Sequence, residues 1–356
     1  MTGIRIGTEP VTSQARAWPE DGLERVVRCP VCGSAERALL YQALTDRVFF
    51  CAPGKWTLQR CAQCRSAYLD PRPTRNTIGL AYERYYTHAA EDSEGVSPIT
   101  RLRRAVRNGY LNHRFGTDYN PSSWLGRLVG PLLPGKRAQL DARARNLPPP
   151  TPNAALLDVG CGNGDFLDLA RRTGWRVTGV DPDPKAVETA RARRLDVRLG
   201  GLELLAGSGI AFDLITSSHV IEHVHEPLQM LRACHTLLKP TGFLWLETPN
   251  LDSIGHGLYG HAWRDLDPPR HLVLFTWRSL TSALEAAGFA RVEAEPHRPL
   301  CRDIFAASEA IARGRDPVRD ARLSVRGHWL AFRAELLART RPEQREFITV
   351  KVWKSA

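Results

Sequence analysis

A glycine-rich turn constrains the fold of this chain more than any other feature. The apolar run 156–159 ends in Gly-Cys-Gly-Asn-Gly at 160–164, and a helical pattern begins at Asp165. A strand, tight loop and helix in this order bring backbone close to a ligand, because glycine has no side chain to obstruct it. A second apolar run ends in Asp181, about 20 positions later, where a carboxylate can accept hydrogen bonds from a ribose. These features predict a nucleoside-like ligand.

The residue order of the loop narrows the choice of ligand. Dinucleotide-binding enzymes use G-x-G-x-x-G to hold a pyrophosphate at a helix N-terminus. Here Asp158 comes just before Gly160-x-Gly162-x-Gly164, and no pyrophosphate clamp follows. An acidic side chain at this point favours a ligand that carries positive charge.

The loop resembles motif I of the class I S-adenosylmethionine (SAM) methyltransferases, and the resemblance continues downstream. Segment 212–224, FDLITSSHVIEHV, is similar to the fourth strand of that family and the turn after it. Segment 237–243, LLKPTGF, is similar to the turn before the fifth strand. Several motifs in the same order are a more specific signal than one glycine loop. The resemblance implies an α/β fold with a Rossmann-like, doubly wound sheet of seven strands, and SAM as the cofactor.

The resemblance also implies which residues contact SAM. Asp158, Gly160 and Gly162 are expected at the methionine end, and Asp181 at both ribose hydroxyls. The other expected contacts follow the second, third and fourth strands: Pro182, Gly201, Leu202, Ser218 and His219.

Candidate catalytic residues cluster on the turn after the fourth strand. Methyl transfer to a hydroxyl or carbon acid requires an aligned acceptor and removal of a proton, and histidine titrates in the right range to remove it. We predict His223 as the general base with Glu222 as its orienting partner, and His219 lies on the same turn. The alternative is that Glu222 and His223 only cap the next helix. His271, in the segment PPRHLVLFT at 268–276, is a second candidate.

The acceptor is expected to be a small molecule. Segment 249–268 mixes rings with hydrogen-bonding groups, which suits a sugar or another ring, although ordinary packing gives the same mixture. The chain is similar to sugar and natural-product methyltransferases but lacks the further C-terminal domain of the sugar C-methylating enzymes, which favours a hydroxyl acceptor on a saccharide or secondary metabolite. The alternative is an RNA base methyltransferase with zinc. Against it, residues 217–220 read Ser-Ser-His-Val, without the motif of base-amine enzymes or the cysteine of cytosine enzymes.

Two C-x-x-C pairs indicate a metal site. Cys29 and Cys32 are separated by 28 residues from Cys61 and Cys64. Four thiolates suit a closed tetrahedral zinc site, so the sequence predicts a small zinc ribbon with structural Zn²⁺. Redox or disulfide use is the alternative, and a reducing compartment disfavours it.

Composition bounds the remaining interpretation. The chain has 356 residues and a net charge of +11, with arginines along its whole length, which favours a solvated basic surface over nucleic-acid binding. No apolar run is long enough to cross a membrane and no leader pattern is present, so we expect a cytoplasmic protein.

The chain divides into four predicted regions: a disordered tail at 1–24, the zinc ribbon at 25–75, a helical region at 76–150, and the methyltransferase domain at 151–356 with an insertion at about 296–344. Within the last region, seven predicted strands lie near 155–159, 176–181, 197–199, 213–217, 243–248, 291–295 and 347–353. Helical patterns occupy 165–173, 184–194, 227–238 and 279–287. This alternation predicts a parallel sheet covered on both faces.

Overall fold

The structure, a computed structural model, describes residues 17–82 and 97–354. Its N-terminal region contains five short strands: β1 (Leu23–Glu24), β2 (Arg37–Leu44), β3 (Trp56–Cys61), β4 (Ala67–Leu69) and β5 (Arg72–Pro73). Three helices follow: α1 (Pro98–Phe115), α2 (Val129–Leu132) and α3 (Pro134–Arg143).

The predicted disordered tail is wrong for its described part. Strand β1 pairs with β5, and the Trp18 side chain is 5% exposed and packs edge-on against Trp56 at 5.2 Å between ring centroids. Burial of the tryptophan ring and the pairing of β1 with β5 together offset the entropy lost on ordering, so this stretch belongs to the folded unit. Residues 1–16 of that prediction lie outside the described residues.

The C-terminal region alternates strands and helices. Its strands are β6 (Ala155–Val159), β7 (Arg176–Asp181), β8 (Val197–Leu199), β9 (Phe212–Ser218), β10 (Leu238–Pro249), β11 (Val273–Leu274), β12 (Phe289–Ala294) and β13 (Phe347–Lys354). Its helices are α4 (Asp165–Arg172), α5 (Pro184–Ala192), α6 (Pro227–Leu237), α7 (Ile254–Tyr259), α8 (Trp277–Ala286), α9 (Cys301–Ala312) and α10 (Val325–Thr340). Short 3₁₀ helices occupy Glu20–Gly22, Ile78–Ala81, Trp124–Leu128, Leu202–Leu205, Ile221–His223, Gly260–Ala262, Arg264–Leu266 and Pro342–Gln344.

Seven of these strands form one sheet in the order β8-β7-β6-β9-β10-β13-β12. Strand β13 runs antiparallel to both neighbours, whereas β6 pairs in parallel with β7 and β9. The predicted Rossmann-like seven-stranded fold is confirmed. The strand order reverses between β6 and β9, and ligands of such sheets lie beyond the carboxyl ends of the strands at that point.

The segment predicted as an insertion contains α9 and α10, between β12 and β13. Burial fixes the orientation of α10, whose Gly327, Ala331, Ala334 and Ala338 face inward. A Cβ at Gly327 would lie 2.1 Å from Glu309 Oε1, so a larger residue at this position would have to displace the Glu309 carboxylate.

The N-terminal strands join the rest of the molecule through a second sheet. Strand β11, which follows β10 in the chain, pairs antiparallel with β4. The second sheet therefore has the strand order β11-β4-β3-β2. Trp56, Tyr68 and Leu69 share one continuous apolar core with Leu246 and Phe275. Among the described helices, none has both the length and the apolar character that a bilayer-spanning segment requires.

Candidate active site

The glycine-rich loop turns sharply after β6. Gly160, Gly162 and Gly164 have φ angles of 70°, 53° and 80°, which side chains rarely tolerate. A Cβ at Gly160 would lie 2.4 Å from Val220 Cγ2, so the loop packs directly on the turn after β9. The loop therefore leaves its backbone accessible beside the predicted catalytic turn.

Asp181 lies at the end of β7 and is 7% exposed. Its Oδ2 accepts a hydrogen bond from Gly162 N at 2.8 Å and its Oδ1 accepts one from Asp183 N at 2.9 Å. Each carboxylate oxygen retains a further lone pair, so the side chain can fix the loop and still accept hydrogen bonds from a diol.

Asp158 is fully buried and already has protein partners. Its Oδ1 pairs with the Arg145 guanidinium and accepts a hydrogen bond from Thr216 Oγ1 at 2.9 Å. Burial raises the pKa of this carboxyl, and Arg145 opposes that shift. The Arg145 guanidinium also stacks on Phe166 at 3.9 Å from the ring centroid. The predicted contact of Asp158 with SAM stays a prediction, and Arg145 is a neighbour that the sequence did not indicate.

The remaining expected SAM contacts surround the same edge of the sheet. Pro182 is exposed after β7, Leu202 is 8% exposed, and Gly201 N donates to Glu203 Oε1 at 2.7 Å. Ser218 Oγ lies 3.5 Å from Glu247 Oε1 at the end of β9.

His219 is held between two carboxylates. Its Nδ1–H donates to Glu222 Oε1 at 3.2 Å and its Nε2–H to Glu247 Oε1 at 3.3 Å. Burial alone would lower the pKa of His219, but the hydrogen bonds with Glu222 and Glu247 outweigh it and raise the pKa to about 10. A protonated ring with both N–H groups engaged cannot accept a proton, so His219 is unsuited to act as a base in this arrangement.

His223 and His271 are both bound to a backbone carbonyl through Nδ1. His223 Nδ1 lies 2.9 Å from Arg270 O and His271 Nδ1 lies 2.7 Å from Asp265 O. Since carbonyls only accept hydrogen bonds, both Nδ1 atoms carry a hydrogen. Tyr82 Oη also lies 3.0 Å from His223 Nδ1. The two ring centroids lie 4.8 Å apart.

Glu222 completes this group. It is fully buried, and Thr248 Oγ1 donates to its Oε2 at 2.9 Å. Burial would raise the pKa of Glu222, but the hydrogen bond with His219 lowers it to about 2. Ligand atoms of Glu222, His223 and His271 all lie within 4.8 Å of one another, so the group can hold a proton, a hydroxyl or a cation. We call these three residues the Glu-His-His cluster.

Residues 135–294 match the family model described as a methyltransferase domain. Residues 135–294 therefore form a methyltransferase domain. Part of the chain is 31% identical over 166 residues to the ubiquinone biosynthesis O-methyltransferase of Methylocella silvestris, covering 41% of this chain and 65% of that protein. The protein of the same name from Xanthomonas campestris pv. campestris strain B100 is 42% identical over 106 residues, covering 28% of this chain and 44% of that protein.

Solved structures resemble the chain more distantly. A SAM-dependent methyltransferase from Archaeoglobus fulgidus has 20% identity and a TM-score of 0.41, over 61% of this chain and 92% of that one. A score this low adds nothing to the assignment of the methyltransferase domain, which rests on the sequence matches. This chain spans less than two thirds of either curated relative.

A cavity lies beside the catalytic turn of the methyltransferase domain. It is small and partly open to solvent, and its lining includes Arg298, Leu300, Ala338 and Phe347. The Phe347 ring contacts His219 edge-on at 4.6 Å. Since most of the lining comes from the predicted insertion and from β13, the sequence patterns did not identify this cavity.

Glu247 connects the cavity to the catalytic turn. Its oxygens accept hydrogen bonds from Arg298 NH2 and Thr349 Oγ1, each at 2.8 Å. Burial would raise the pKa of Glu247, but the hydrogen bond with His219 and the charge of Arg298 lower it to about 2. Glu346, 2% exposed, also lines the cavity, and burial raises its pKa to about 8.

The segment expected to contact the acceptor is largely packed inside the methyltransferase domain. Asn250 is fully buried and donates through Nδ2 to Glu343 O and Arg345 O, both at 2.8 Å. Trp263 is 2% exposed. Asn250 and Trp263 are therefore packed in the interior, which is the alternative to acceptor contact given for this segment.

The four predicted zinc ligands lie together. Sγ–Sγ distances are 3.6 Å for Cys29–Cys64 and 3.5 Å for Cys32–Cys61, and all four sulfurs fall within 4.8 Å of one another. Both turns use the same backbone hydrogen bonds, from Cys29 N to Ser34 O at 2.8 Å and from Cys61 N to Ser66 O at 2.9 Å. The repeated C-x-x-C-x-S pattern was the signal for these matching turns.

Proposed function

We propose that this chain transfers the methyl group of SAM to a hydroxyl group of a small molecule. The observation that supports this most directly is the Glu-His-His cluster, in which two histidine rings bound to backbone carbonyls through Nδ1 lie near the turn that packs on the glycine-rich loop. Such an arrangement suits removal of a proton from an acceptor while the acceptor is aligned with a bound methyl donor.

SAM would be held by the loop and by Asp181. When bound, it supplies a methyl group on a positively charged sulfur. The loop glycines leave room for its methionine part, and Asp181 accepts hydrogen bonds from its ribose hydroxyls through the lone pairs that Gly162 N and Asp183 N leave unused. Arg145, beside Asp158, offers a positive charge for a carboxylate.

His223 would act as the general base. Bound SAM would supply the methyl group for the acceptor oxygen, and His223 Nε2 would take the hydroxyl proton. Burial lowers the pKa of His223, and charge repulsion from the nearby His271 lowers it further, to about 4. The His223 ring is therefore neutral at physiological pH. Its Nδ1–H bond to Arg270 O fixes the tautomer that this role requires.

The acceptor class rests on weaker support. Both relatives reported above are named O-methyltransferases, which favours an oxygen acceptor. The small cavity beside His219 is lined by Phe347 and Arg298, which suits a polar substituent of the acceptor. A saccharide or secondary-metabolite hydroxyl remains our proposal, and RNA is the alternative.

The cysteine cluster would bind one structural Zn²⁺. A tetrahedral site with Zn–S bonds of about 2.3 Å has sulfur–sulfur edges of about 3.8 Å, close to the two distances observed. With all four positions taken by sulfur, the ion would fix the two turns and take no part in methyl transfer.

Calorimetry of SAM binding tests the cofactor site. We expect Asp181→Ala to weaken SAM binding at least tenfold, because two charge-assisted hydrogen bonds are lost. Asp183→Ala is the matched control, since that neighbouring carboxylate accepts from Lys185 N and caps α5 instead. Equal affinity for both variants would overturn the assignment of Asp181.

Labelled SAM tests the acceptor. The protein is incubated with labelled SAM and, separately, with sugar nucleotides, phenolic metabolites and total RNA. We expect the label to enter a small molecule as an O-methyl group that survives mild acid. Label that enters only RNA would replace the proposed function with the alternative.

A further inference from the structure

Helix α10 is apolar on two opposite faces. The inward face consists of the small residues Gly327, Ala331, Ala334 and Ala338. The same spacing recurs two residues earlier along the helix in four large apolar residues. Their exposed fractions are 90% for Val325, 55% for Trp329, 63% for Phe332 and 46% for Leu336. An offset of two residues is about 200° around a helix, so these large side chains point away from the core. Scattered exposed apolar residues need no explanation, but a complete stripe does.

The outward side of α10 is also basic. Arg326, Arg333 and Arg339 are exposed, and the Arg333 guanidinium stacks on Trp329 at 4.6 Å from the ring centroid. The one acidic residue of the helix, Glu335, is turned inward, where it accepts hydrogen bonds from Leu300 N and Cys301 N at 2.7 and 2.6 Å. The stripe therefore has positive charge beside it and no acidic partner on the same helix.

A second surface with the same character lies at the end of the helical region. Its exposed apolar side chains are Trp124 (71%), Leu128 (39%), Leu132 (68%) and Leu133 (54%). Arg127, Lys136 and Arg137 are exposed among them, and no acidic residue occurs from 119 to 140. We call this surface and the α10 stripe together the basic apolar face.

The two parts are joined by one short segment. A Cβ at Gly135 would lie 3.7 Å from Pro299 Cγ. Leu300 and Cys301, which follow Pro299, donate their N–H groups to Glu335 of α10. Residues 299–301 therefore lie against Gly135 and against the inward side of α10, which places the two apolar surfaces in neighbouring regions of the molecule.

The charge distribution of the chain coincides with this face. Residues 95–140 contain eight Lys or Arg and one acidic residue, and residues 313–341 contain eight Arg and three acidic residues. The remaining chain has 33 basic and 34 acidic residues, so it is nearly neutral. The arginines are therefore not evenly spread along the chain, contrary to the expectation from its composition. Their excess is instead confined to the two stretches with exposed Trp, Phe and Leu.

We propose that the basic apolar face docks the protein on the surface of a membrane rich in anionic lipids. Large apolar and aromatic side chains flanked by Arg and Lys are the composition of helices that lie in a membrane interface, and anionic headgroups complement the local charge. A second copy of this chain fits less well, because a two-fold contact would bring arginines of both copies together. The inference does not depend on the proposed methyl transfer.

The face adjoins the cavity of the methyltransferase domain. Ala338, on the inward side of α10, lines the cavity together with Leu300 and Cys301. A molecule bound in that cavity lies one helix thickness from the docked surface.

Sedimentation with vesicles tests the proposal. Full-length protein should co-sediment with phosphatidylcholine vesicles that contain a quarter phosphatidylglycerol and should bind pure phosphatidylcholine at least tenfold more weakly. The triple variant Trp329→Ser, Phe332→Ser, Leu336→Ser should lose most binding to anionic vesicles. The matched control is Leu199→Ser, Leu204→Ser, Ile210→Ser, which removes side chains of 48%, 44% and 42% exposure elsewhere. That control should bind like the unchanged protein.

Charge and assembly provide the second readout. Arg326→Gln, Arg333→Gln, Arg339→Gln should weaken binding and reduce its dependence on salt, with circular dichroism unchanged. Equal sedimentation of the two triple serine variants would overturn the proposal. So would light scattering that shows a dimer which only the α10 variant converts to monomer, or arginine-dependent binding of RNA with no binding to vesicles.

Discussion

Arg270 is the residue on which the most buried interactions depend. Its guanidinium is fully buried and pairs with Asp46 and Asp267, both at 2.6 Å. It also donates to Ala81 O at 3.1 Å, while its own carbonyl accepts from His223. One side chain therefore links the N-terminal region, the segment before β11 and the candidate base.

Removing one carboxylate partner of Arg270 should destabilise the protein strongly. We expect Asp46→Ala to lower the free energy of unfolding by about 3–5 kcal/mol, because it leaves a buried guanidinium incompletely paired. Asp252→Ala is the control, since it breaks the exposed 2.8 Å pair with Arg60 and should cost about 0–1 kcal/mol. Urea titration measures both. Similar small losses would contradict the importance given to the buried pair.

His223 should determine the acid side of the activity profile. Its pKa is lowered to about 4, so the ring stays unprotonated well below pH 6 and kcat/KM should hold its value down to about pH 5. His223→Gln should reduce kcat by roughly 10²- to 10⁴-fold with little change in SAM affinity. His225→Gln, which alters a buried ring bonded to Pro73 O at 2.9 Å, is the control. An unchanged kcat in His223→Gln would favour His271 as the base.

At the scale of elements, the ribbon and the methyltransferase domain share a sheet. Strand β4, just after the second cysteine pair, pairs with β11, and β11 begins two residues after His271. Leu69 N also donates to Leu272 O at 3.1 Å. The cysteine turns thus help to position the strand that begins just after His271, one member of the Glu-His-His cluster.

Disrupting the cysteine cluster should therefore affect catalysis as well as stability. We expect Cys61→Ser to lower the Tm by several degrees and to reduce kcat, although the proposed zinc takes no part in chemistry. Thermal unfolding and single-turnover rates measure the two effects. Cys234→Ser, a buried cysteine outside the cluster, is the comparison. Normal single-turnover rates in a destabilised Cys61→Ser would show that the ribbon acts alone.

The sequence predicted elements better than their contacts. Strands β6, β7 and β8 match their predicted ranges, because apolar runs and glycine turns are local signals. The predicted strand near 243–248 is the longer β10, since its first residues lack a clear apolar pattern. Arg145, Glu247 and the β4–β11 pairing could not be predicted, because they join residues far apart in the chain with no local pattern to mark them.

At the scale of the whole molecule, stability should decrease towards both extremes of pH. Asp46, Glu222 and Glu247 have pKa values lowered to about 2, so the stability they contribute is present above about pH 4.5 and is lost as pH falls towards 2. Glu346 has its pKa raised from 4.5 to about 8, so its contribution is full below about pH 4.5 and is lost as pH rises towards 8. His219 adds a further loss between about 6.5 and 10.

Glu346→Gln should isolate one of these effects. Between pH 5 and 6.5, below the range in which His219 contributes, the stability of the variant relative to the unchanged protein should rise steadily with pH. Denaturant titration at several pH values measures this difference. The exposed neighbour Glu343, changed to Gln, should show no such trend. A constant difference between Glu346→Gln and the unchanged protein would mean that the Glu346 carboxyl is already ionised at pH 5.

The position of β13 has a consequence for synthesis. This strand lies between β10 and β12, and it supplies Phe347 to the ring of His219 and Thr349 to Glu247. A nascent chain that has reached residue 344 already contains the loop, Asp181 and the Glu-His-His cluster, but it leaves two sheet edges unpaired and the cavity open on one side. On the ribosome, this side of the cavity can therefore close only after β13 has been translated, so a prematurely released chain would carry the Glu-His-His cluster beside an incomplete sheet.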